Sequence, residues 1–218
     1  MQRNFRGRPM SERAAKNKHF TLIRELAAAD VLTIGNASCG TASIFLCLNY
    51  LDTQNLAYVW WAMGLLPLAL VCDALDGIVA RKRRHSVYGA DMDSLADIVS
   101  FGVAPATLAY TLGMRGGWDA ILLIYFVACG ISRLARYNVT MDSLADPESG
   151  KVKYYEGTPI PASILLVVVL AIAVGVGAVG PELWWGHVKL GMTLHPLTVL
   201  FGLSGTAMAS ATLRVPKP

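Results

Sequence analysis

Long apolar stretches alternate with short polar segments along this chain. Six stretches approach the roughly 20 residues that an α-helix needs to cross a bilayer. They cover residues 31–51, 57–79, 95–113, 118–132, 160–179 and 192–213. The third has an acidic start, and the fourth is short and runs into arginines. The pattern predicts an all-α integral membrane bundle of six transmembrane helices.

The composition favours the same class. Hydrophobic residues make up 54% of the 218 residues and charged residues only 16%, against roughly a quarter charged in soluble domains. The cysteines all lie in apolar stretches without a Cys-x-x-Cys pair, which predicts packing residues and not disulfides or zinc ligands. They are Cys39, Cys47, Cys72 and Cys129.

Basic residues are distributed unevenly over the loops. They cluster before the first stretch, after the second and fourth, and in the C-terminal tail, whereas the opposite loops hold only Arg115 and Lys189. Because Lys and Arg are retained on the cytoplasmic side, both termini are predicted to be cytoplasmic. The net charge of +4 reflects this asymmetry, and no nucleic-acid partner is predicted. The membrane would be that of the endoplasmic reticulum in a eukaryote and the cytoplasmic membrane in a prokaryote.

The N-terminal segment is basic and has no apolar core, so it does not resemble a cleavable signal peptide. Residues 11–29 are predicted to form an amphipathic helix at the membrane interface, and the alternative is a disordered basic arm. The predicted units are the arm at 1–29, the membrane domain at 30–213 and a short cytoplasmic tail at 214–218.

Four aspartates lie where the second and third stretches meet. Asp73 and Asp76 are three residues apart, and Asp93 and Asp97 are four apart, so each pair shares one helix face. The short intervening loop predicts antiparallel neighbouring helices, which brings the four acids together. Ionisable residues inside membrane helices are costly and mark functional sites.

Divalent cations would relieve the repulsion among these acids. Oxygen ligands favour Mg²⁺ or Mn²⁺ over Zn²⁺, and four carboxylates are enough for two ions. The alternative is a set of salt bridges with the basic residues at 81–84. Asp91 points elsewhere on the helix and is left outside the site.

Small residues and an arginine are interspersed with the acids. Gly77, Ala80 and Gly89 would leave room for a ligand, and Arg81 could bind a phosphate through two hydrogen bonds. This combination predicts phosphoryl or phosphodiester chemistry on a nucleotide-activated substrate. A divalent-cation transporter is the alternative from another class, although the chain has one acidic cluster and no inverted repeat.

The hexapeptide Met-Asp-Ser-Leu-Ala-Asp occurs twice, at residues 92–97 and 141–146. Only the first copy lies opposite Asp73 and Asp76. The second copy lies in a polar stretch before the fifth helix, and Asp142 and Asp146 are predicted to belong to a solvated turn or short helix without a metal site.

The string D-x2-D-G-x2-A-R-x7-G-x3-D-x3-D at residues 73–97 resembles the signature of the CDP-alcohol phosphatidyltransferase family. These are integral membrane enzymes that move a phosphatidyl group from CDP-diacylglycerol to an alcohol and release CMP. Residues 93–106, 130–140 and 154–161 are similar to the phosphatidylserine synthases of the family, especially the fungal type. The resemblance covers about residues 19–161 and implies transfer to L-serine, with inositol or glycerol 3-phosphate as alternative acceptors.

The resemblance also implies roles for the acids and their neighbours. Asp73, Asp76 and Asp93 would bind the metals. Asp97 would be a ligand or neighbour of the second ion and the general base that takes the proton from the attacking hydroxyl. CDP-diacylglycerol would be contacted by the residues at the signature and by one residue of the first helix: Gly77, Ala80, Arg81, Gly89 and Asn36. For Asn36 the alternative is an interhelical hydrogen bond.

Serine carries a carboxylate, which needs a fixed cation near the membrane interior. Arg133 and Arg136 could supply it, and Tyr137 could offer its hydroxyl or ring face to the ammonium group. Glu156 could orient an arginine or bind the amine. The alternatives are cytoplasmic anchoring for the arginines and a favourable position at a helix start for Glu156.

The resemblance further implies a homodimer. The small residues Ala173, Gly175 and Gly177 on the predicted fifth helix would permit close contact between helices of two copies.

Overall fold

The computed structural model describes residues 28–82, 89–144, 154–180, 183–210 and 214–216, and these are mostly helical. The helices are α1 (Ala28–Thr53), α2 (Leu56–Lys82), α3 (Gly89–Asp97), α4 (Ala104–Thr111), α5 (Gly117–Leu144), α6 (Ile164–Gly175) and α7 (Pro196–Ala209). A π-helical segment, Ile98–Val103, joins α3 to α4, and a 3₁₀ turn, Ile160–Ser163, precedes α6. The predicted helical class is confirmed.

Four short strands were not predicted. Strand β1 (Tyr154–Glu156) pairs antiparallel with β4 (Arg214–Pro216), and β2 (Val188–Leu190) pairs antiparallel with β3 (Met192–Leu194). The β1–β4 pair joins two segments that are 60 residues apart, so local sequence patterns do not reveal it.

Each of the six apolar stretches contains a helix, but several boundaries differ from the prediction. The third helix begins earlier, at Gly89, so its acidic start lies inside α3, and α5 continues to Leu144. The sixth begins later, at Pro196, because the hairpin of β2 and β3 precedes it and turns at Gly191 with a positive φ of 75°. Proline at the first position of a helix is favourable because its missing N–H would have no partner there.

Among the described residues, three helical segments are long and apolar enough to cross a membrane: Ala29–Thr53, Leu56–Ala80 and Gly117–Asn138. The apolar helices at Ile160–Gly175 and Pro196–Ala209 are shorter. Six crossings therefore stay a prediction. The predicted interfacial helix at 11–29 lies almost entirely outside the described residues.

Two helix pairs organise the bundle. Helices α1 and α2 are antiparallel and joined by Gln54 and Asn55, where the Asn55 side chain accepts a hydrogen bond of 3.0 Å from the Ala57 amide. Helices α5 and α7 also pack together, with Phe126 and Phe201 in an edge-to-face contact at 5.3 Å between ring centroids. The first pair brings the N-terminal half of α1 beside the acidic end of α2.

A buried carboxylate stabilises the opposite end of the bundle. Asp119 at the start of α5 has no exposed surface and accepts hydrogen bonds from the backbone amides of Gly116 and His195, both at 2.8 Å, and from the Thr198 hydroxyl at 2.9 Å. Since buried polar groups are stable only when hydrogen-bonded, this contact fixes where α5 and α7 begin.

The small residues chosen for a dimer contact do not form one exposed face. Ala173 is buried within its own chain, and Gly177 lies beyond the end of α6. Gly175 is exposed, although the nearest side chain to it is Trp60 of the same chain. The homodimer stays a prediction without this support. The four cysteines are free, as predicted.

Candidate active site

Three of the predicted acids meet between the C-terminal end of α2 and the start of α3. Asp73, Asp76 and Asp93 each present a carboxylate oxygen, and these oxygens lie within 4.8 Å of one another. Asp76 is 5% exposed, and the other two are half-buried. The i, i+3 spacing places Asp73 and Asp76 on one face of α2, as the sequence predicted. The sequence also predicted that α2 and α3 are antiparallel neighbours, but each packs mainly against α1, and this brings Asp93 to the two acids of α2.

Asp97 lies beside this group and has different contacts. It is buried at the end of α3, lies close enough to Asp73 to interact with it electrostatically, and accepts a hydrogen bond of 3.1 Å from the Asn36 amide on α1. Asn36 has no exposed surface. The interhelical hydrogen bond, which was the alternative role for Asn36, is therefore present, and the contact of Asn36 with CDP-diacylglycerol stays a prediction. Asp97 is held by α1 rather than by the other acids alone.

Two further residues of α1, which were not predicted from the sequence, approach the acids. Thr33 donates a hydrogen bond of 2.7 Å to Asp76, and Asp30 is buried at 4% exposure and close enough to interact electrostatically with Asp76. Asp30, Thr33 and Asn36 follow one another at intervals of three. This spacing places them on one helix face, and a polar stripe on an otherwise apolar helix could have revealed them.

The geometry fits a divalent cation. The Asp93 Oδ1 atom is buried and has no hydrogen-bond partner among the described residues, although buried polar atoms normally have one. Three carboxylate oxygens at this spacing form the hard, anionic donor set that Mg²⁺ and Mn²⁺ prefer. Asp73, Asp76 and Asp93 would hold an ion, and Asp97 would lie beside it.

Open space adjoins the acids. A side chain at Gly77 would meet no atom within 4 Å among the described residues, so a ligand could approach the backbone there. Ala80 lies half-buried one turn further along α2, and Gly89 is the first residue of α3. The Arg81 side chain lies outside the described part of the structure, and its phosphate contact stays a prediction.

The candidate serine-binding arginines lie on α5 at the same end of the bundle. Asn138 donates a hydrogen bond of 3.0 Å to Ser94, which is next to Asp93, so this part of α5 packs beside α3. The Arg133 guanidinium lies 5.7 Å from the centre of the Tyr137 ring. Arg136 donates a hydrogen bond of 2.9 Å to the carbonyl of Ala209, the last residue of α7.

Glu156 lies in strand β1 and not in a turn at the start of a helix, which corrects its predicted position. The following Gly157 has a positive φ of 75° and packs so closely on α7 that a Cβ would lie 2.5 Å from the Met208 carbonyl oxygen. The β1 segment and Arg136 therefore approach the same end of α7. The Glu156 side chain is outside the described part of the structure.

The second hexapeptide differs from the first in its setting. Residues 141–144 form the last turn of α5, and Asp146 lies outside the described residues. The only carboxylate group of metal-binding spacing within the described residues contains acids of α2 and α3.

The sequence is also similar to those of known proteins. The sequence profile described as CDP-alcohol phosphatidyltransferase matches residues 26–204. A CDP-diacylglycerol–serine O-phosphatidyltransferase of Saccharomyces cerevisiae is 41% identical over 204 residues, which cover 92% of this chain and 74% of the yeast protein. No solved structure matches the chain significantly.

Two archaeal relatives are similar over a shorter region. An archaetidylserine synthase of Methanothermobacter thermautotrophicus is 38% identical over 146 residues, covering 65% of this chain and 56% of that protein. A CDP-diacylglycerol–serine O-phosphatidyltransferase of Methanocaldococcus jannaschii is 39% identical over 129 residues, covering 59% of each chain.

Proposed function

This chain belongs to the CDP-alcohol phosphatidyltransferase family, and from that premise we propose that it transfers the phosphatidyl group of CDP-diacylglycerol to L-serine, giving phosphatidylserine and CMP. The names of the yeast and Methanocaldococcus relatives support serine as the acceptor. The carboxylate group of Asp73, Asp76 and Asp93, with Asp97 beside it, carries the proposal, because it is suited to a diphosphate substrate with its counter-ions.

The proposed reaction is a displacement at phosphorus. The serine hydroxyl oxygen forms a bond to the phosphorus that carries the diacylglycerol group, and the bond from this phosphorus to the oxygen of CMP breaks. CMP leaves with the bonding electron pair, and Asp97 takes the proton of the serine hydroxyl. Bound Mg²⁺ or Mn²⁺ would neutralise the diphosphate and the charge that develops on CMP.

The residues around the acids would either orient the carboxylates or contact the substrate. Asn36 and Thr33 hold Asp97 and Asp76 through hydrogen bonds of 3.1 and 2.7 Å. Gly77 leaves room for the nucleotide, and Ala80, Arg81 and Gly89 would contact CDP-diacylglycerol with it. Each of these nucleotide contacts is inferred from the family signature.

The acceptor site would lie on α5. The half-buried Arg133 and Arg136 would bind the serine carboxylate, and Tyr137 and Glu156 would approach its ammonium group. A guanidinium can bind a carboxylate through two parallel hydrogen bonds, which a lysine cannot. The contact between Ser94 and Asn138 supports this arrangement because it holds α5 beside the acids of α3.

The membrane arrangement is part of the proposal. The chain would cross six times with both termini and the carboxylate group on the cytoplasmic side, since the basic loops flank this end of the bundle. It would act as a homodimer, which crosslinking in detergent tests. A strictly monomeric active species would contradict the dimer.

CMP release by the purified protein tests the function. Serine, inositol and glycerol 3-phosphate are compared as acceptors for CDP-diacylglycerol with Mg²⁺ or Mn²⁺, and serine is expected to give the fastest release. Faster release with another alcohol would reject serine as the acceptor. The same protein in liposomes is tested for Mn²⁺ flux, and flux without CMP release would favour a transporter.

Replacing Arg136 by Lys is expected to raise the KM for serine about tenfold while kcat changes less than about twofold, because a point charge replaces the planar fork that binds a carboxylate. Initial rates of CMP release at varied serine check this result. Arg115→Lys is the matched control, since Arg115 also donates to helix-end carbonyls, those of Tyr110 and Thr111, at the other end of the bundle.

An unchanged serine KM in Arg136→Lys, or the same change in both lysine variants, would remove Arg136 from the acceptor site. Arg136 would then have a structural role, in which its bond to the Ala209 carbonyl takes part, and the expected effect would be on stability.

A further inference from the structure

A close approach between α1 and the π-helical segment lies one turn from Asp97. At this point Ser100 has no exposed surface, and its hydroxyl donates a hydrogen bond of 2.8 Å to the backbone carbonyl of Asn36. The same Asn36 donates its side-chain amide to Asp97 at 3.1 Å. Asn36 is therefore linked both to Asp97 at the end of α3 and to Ser100 in the π-helical segment.

Gly40 makes this approach possible. A Cβ atom built on Gly40 would lie 2.5 Å from the Ser100 Oγ atom and 2.7 Å from its Cα atom. Carbon atoms in van der Waals contact are about 3.5–4.0 Å apart, so any side chain at this position would push the two backbones apart by about 1 Å. Because the Cα atom belongs to the backbone, a rotamer change at Ser100 could not relieve the contact.

The π-helical segment gives this region an unusual backbone. It begins directly after Asp97, and the Ala104 amide donates to the Val99 carbonyl, five residues earlier. Such segments are rare and occur frequently at functional sites. Here Asp97 and Ser100 stand on either side of the junction between α3 and the π-helical segment, and both bond to Asn36.

We infer that Gly40 and Ser100 are positioning residues for Asp97. Gly40 sets the distance between the backbones, and Ser100 fixes Asn36, which in turn orients the Asp97 carboxylate. The inference rests on the proposed function, in which Asp97 takes the proton of the acceptor. A misplaced base slows the chemical step without weakening substrate binding, so the effect falls on kcat and leaves KM unchanged.

Four single variants of the full chain test the inference. Ser100→Ala removes one oxygen atom, and Gly40→Ala adds a methyl group that would clash with Ser100. Their matched controls are Ser38→Ala, which removes an exposed hydroxyl of α1 bonded to the Ile34 carbonyl, and Gly64→Ala on α2, where an added Cβ would meet no atom within 4 Å among the described residues. Steady-state kinetics with each substrate varied give kcat and KM, and thermal unfolding in detergent reports folding.

Ser100→Ala is expected to lower kcat about tenfold and Gly40→Ala about 100-fold, the size of effect that a shift of about 1 Å can cause. The KM for serine and for CDP-diacylglycerol should stay within about twofold in both, and the two controls should match the wild type. If Gly40→Ala does not fold, Ser100→Ala decides the question, because it introduces no clash.

A kcat for Ser100→Ala equal to that of Ser38→Ala would overturn the inference. So would a rise in KM at unchanged kcat. Failure of the proposed function is recognised separately, from CMP release by the wild type. If another alcohol proves to be the acceptor, the four variants are assayed with that alcohol. The same pattern of kcat values would then still support the positioning role.

Discussion

Asp93→Asn is expected to lower the rate of CMP release by at least about 100-fold, because even residues that only support a metal ligand cost 10- to 100-fold when they are changed. The amide keeps the size of the side chain but removes one negative charge and an anionic oxygen from the group of Asp73, Asp76 and Asp93. The Asp93 Oδ1 atom has no hydrogen-bond partner among the described residues, so its loss breaks no described contact. The protein should therefore fold normally.

Two measurements separate a ligand from a structural residue. Mn²⁺ binding to the purified protein, followed by calorimetry, should weaken in Asp93→Asn and in Asp73→Asn. Asp91→Asn is the matched control: this acid lies on the same helix, is exposed and stands outside the carboxylate group. Wild-type Mn²⁺ affinity in Asp93→Asn, or a substantial remaining rate, would argue against direct ligation.

Asp97→Ala is expected to abolish CMP release at saturating Mg²⁺ or Mn²⁺, with a loss of about 100-fold or more, since general bases contribute 10²- to 10⁴-fold. High metal concentration should not restore the rate, because the change removes the base as well as a negative charge. The double variant Asp142→Ala with Asp146→Ala should keep kcat within about threefold of the wild type, since the second hexapeptide is predicted to belong to a solvated turn or short helix without a metal site.

This comparison uses two copies of one hexapeptide, so the same residue type is removed in two settings. Rates are measured at several metal concentrations, and thermal unfolding confirms that each variant folds. If the double variant lost as much activity as Asp97→Ala, the end of α5 and the residues after it would have to act at the active site, and the prediction of a solvated turn or short helix without a metal site would be wrong.

Much of the site could be predicted because its spacing is local. The intervals between Asp73 and Asp76, and between Asp93 and Asp97, place each pair on one helix face. The two helices follow each other closely along the chain, and both pack against α1. The cost of burying charge in a membrane then leaves few functions for such a group. The family signature added the chemistry, and the matched profile over residues 26–204 confirmed the family.

Other features depended on contacts between distant segments. The sequence did not predict the hydrogen bond from Thr33 to Asp76, which joins α1 to α2, or the one from Ser100 to Asn36, which joins the π-helical segment to α1. It also did not predict the strand that contains Glu156. The rotation of one packed helix against another follows from where small residues allow close approach, as at Gly40, and a periodic pattern does not specify it.

The sequence by itself determined the membrane character, the helical class and the pairing of acids on single helix faces, because apolar length and residue spacing are properties of single segments. Only the tertiary structure decided that Asp73, Asp76 and Asp93 share one group while Asp97 is held by Asn36 of α1. The physical reason is that a hydrogen bond between helices needs both backbones at a fixed distance and rotation, which the packing of the whole bundle sets.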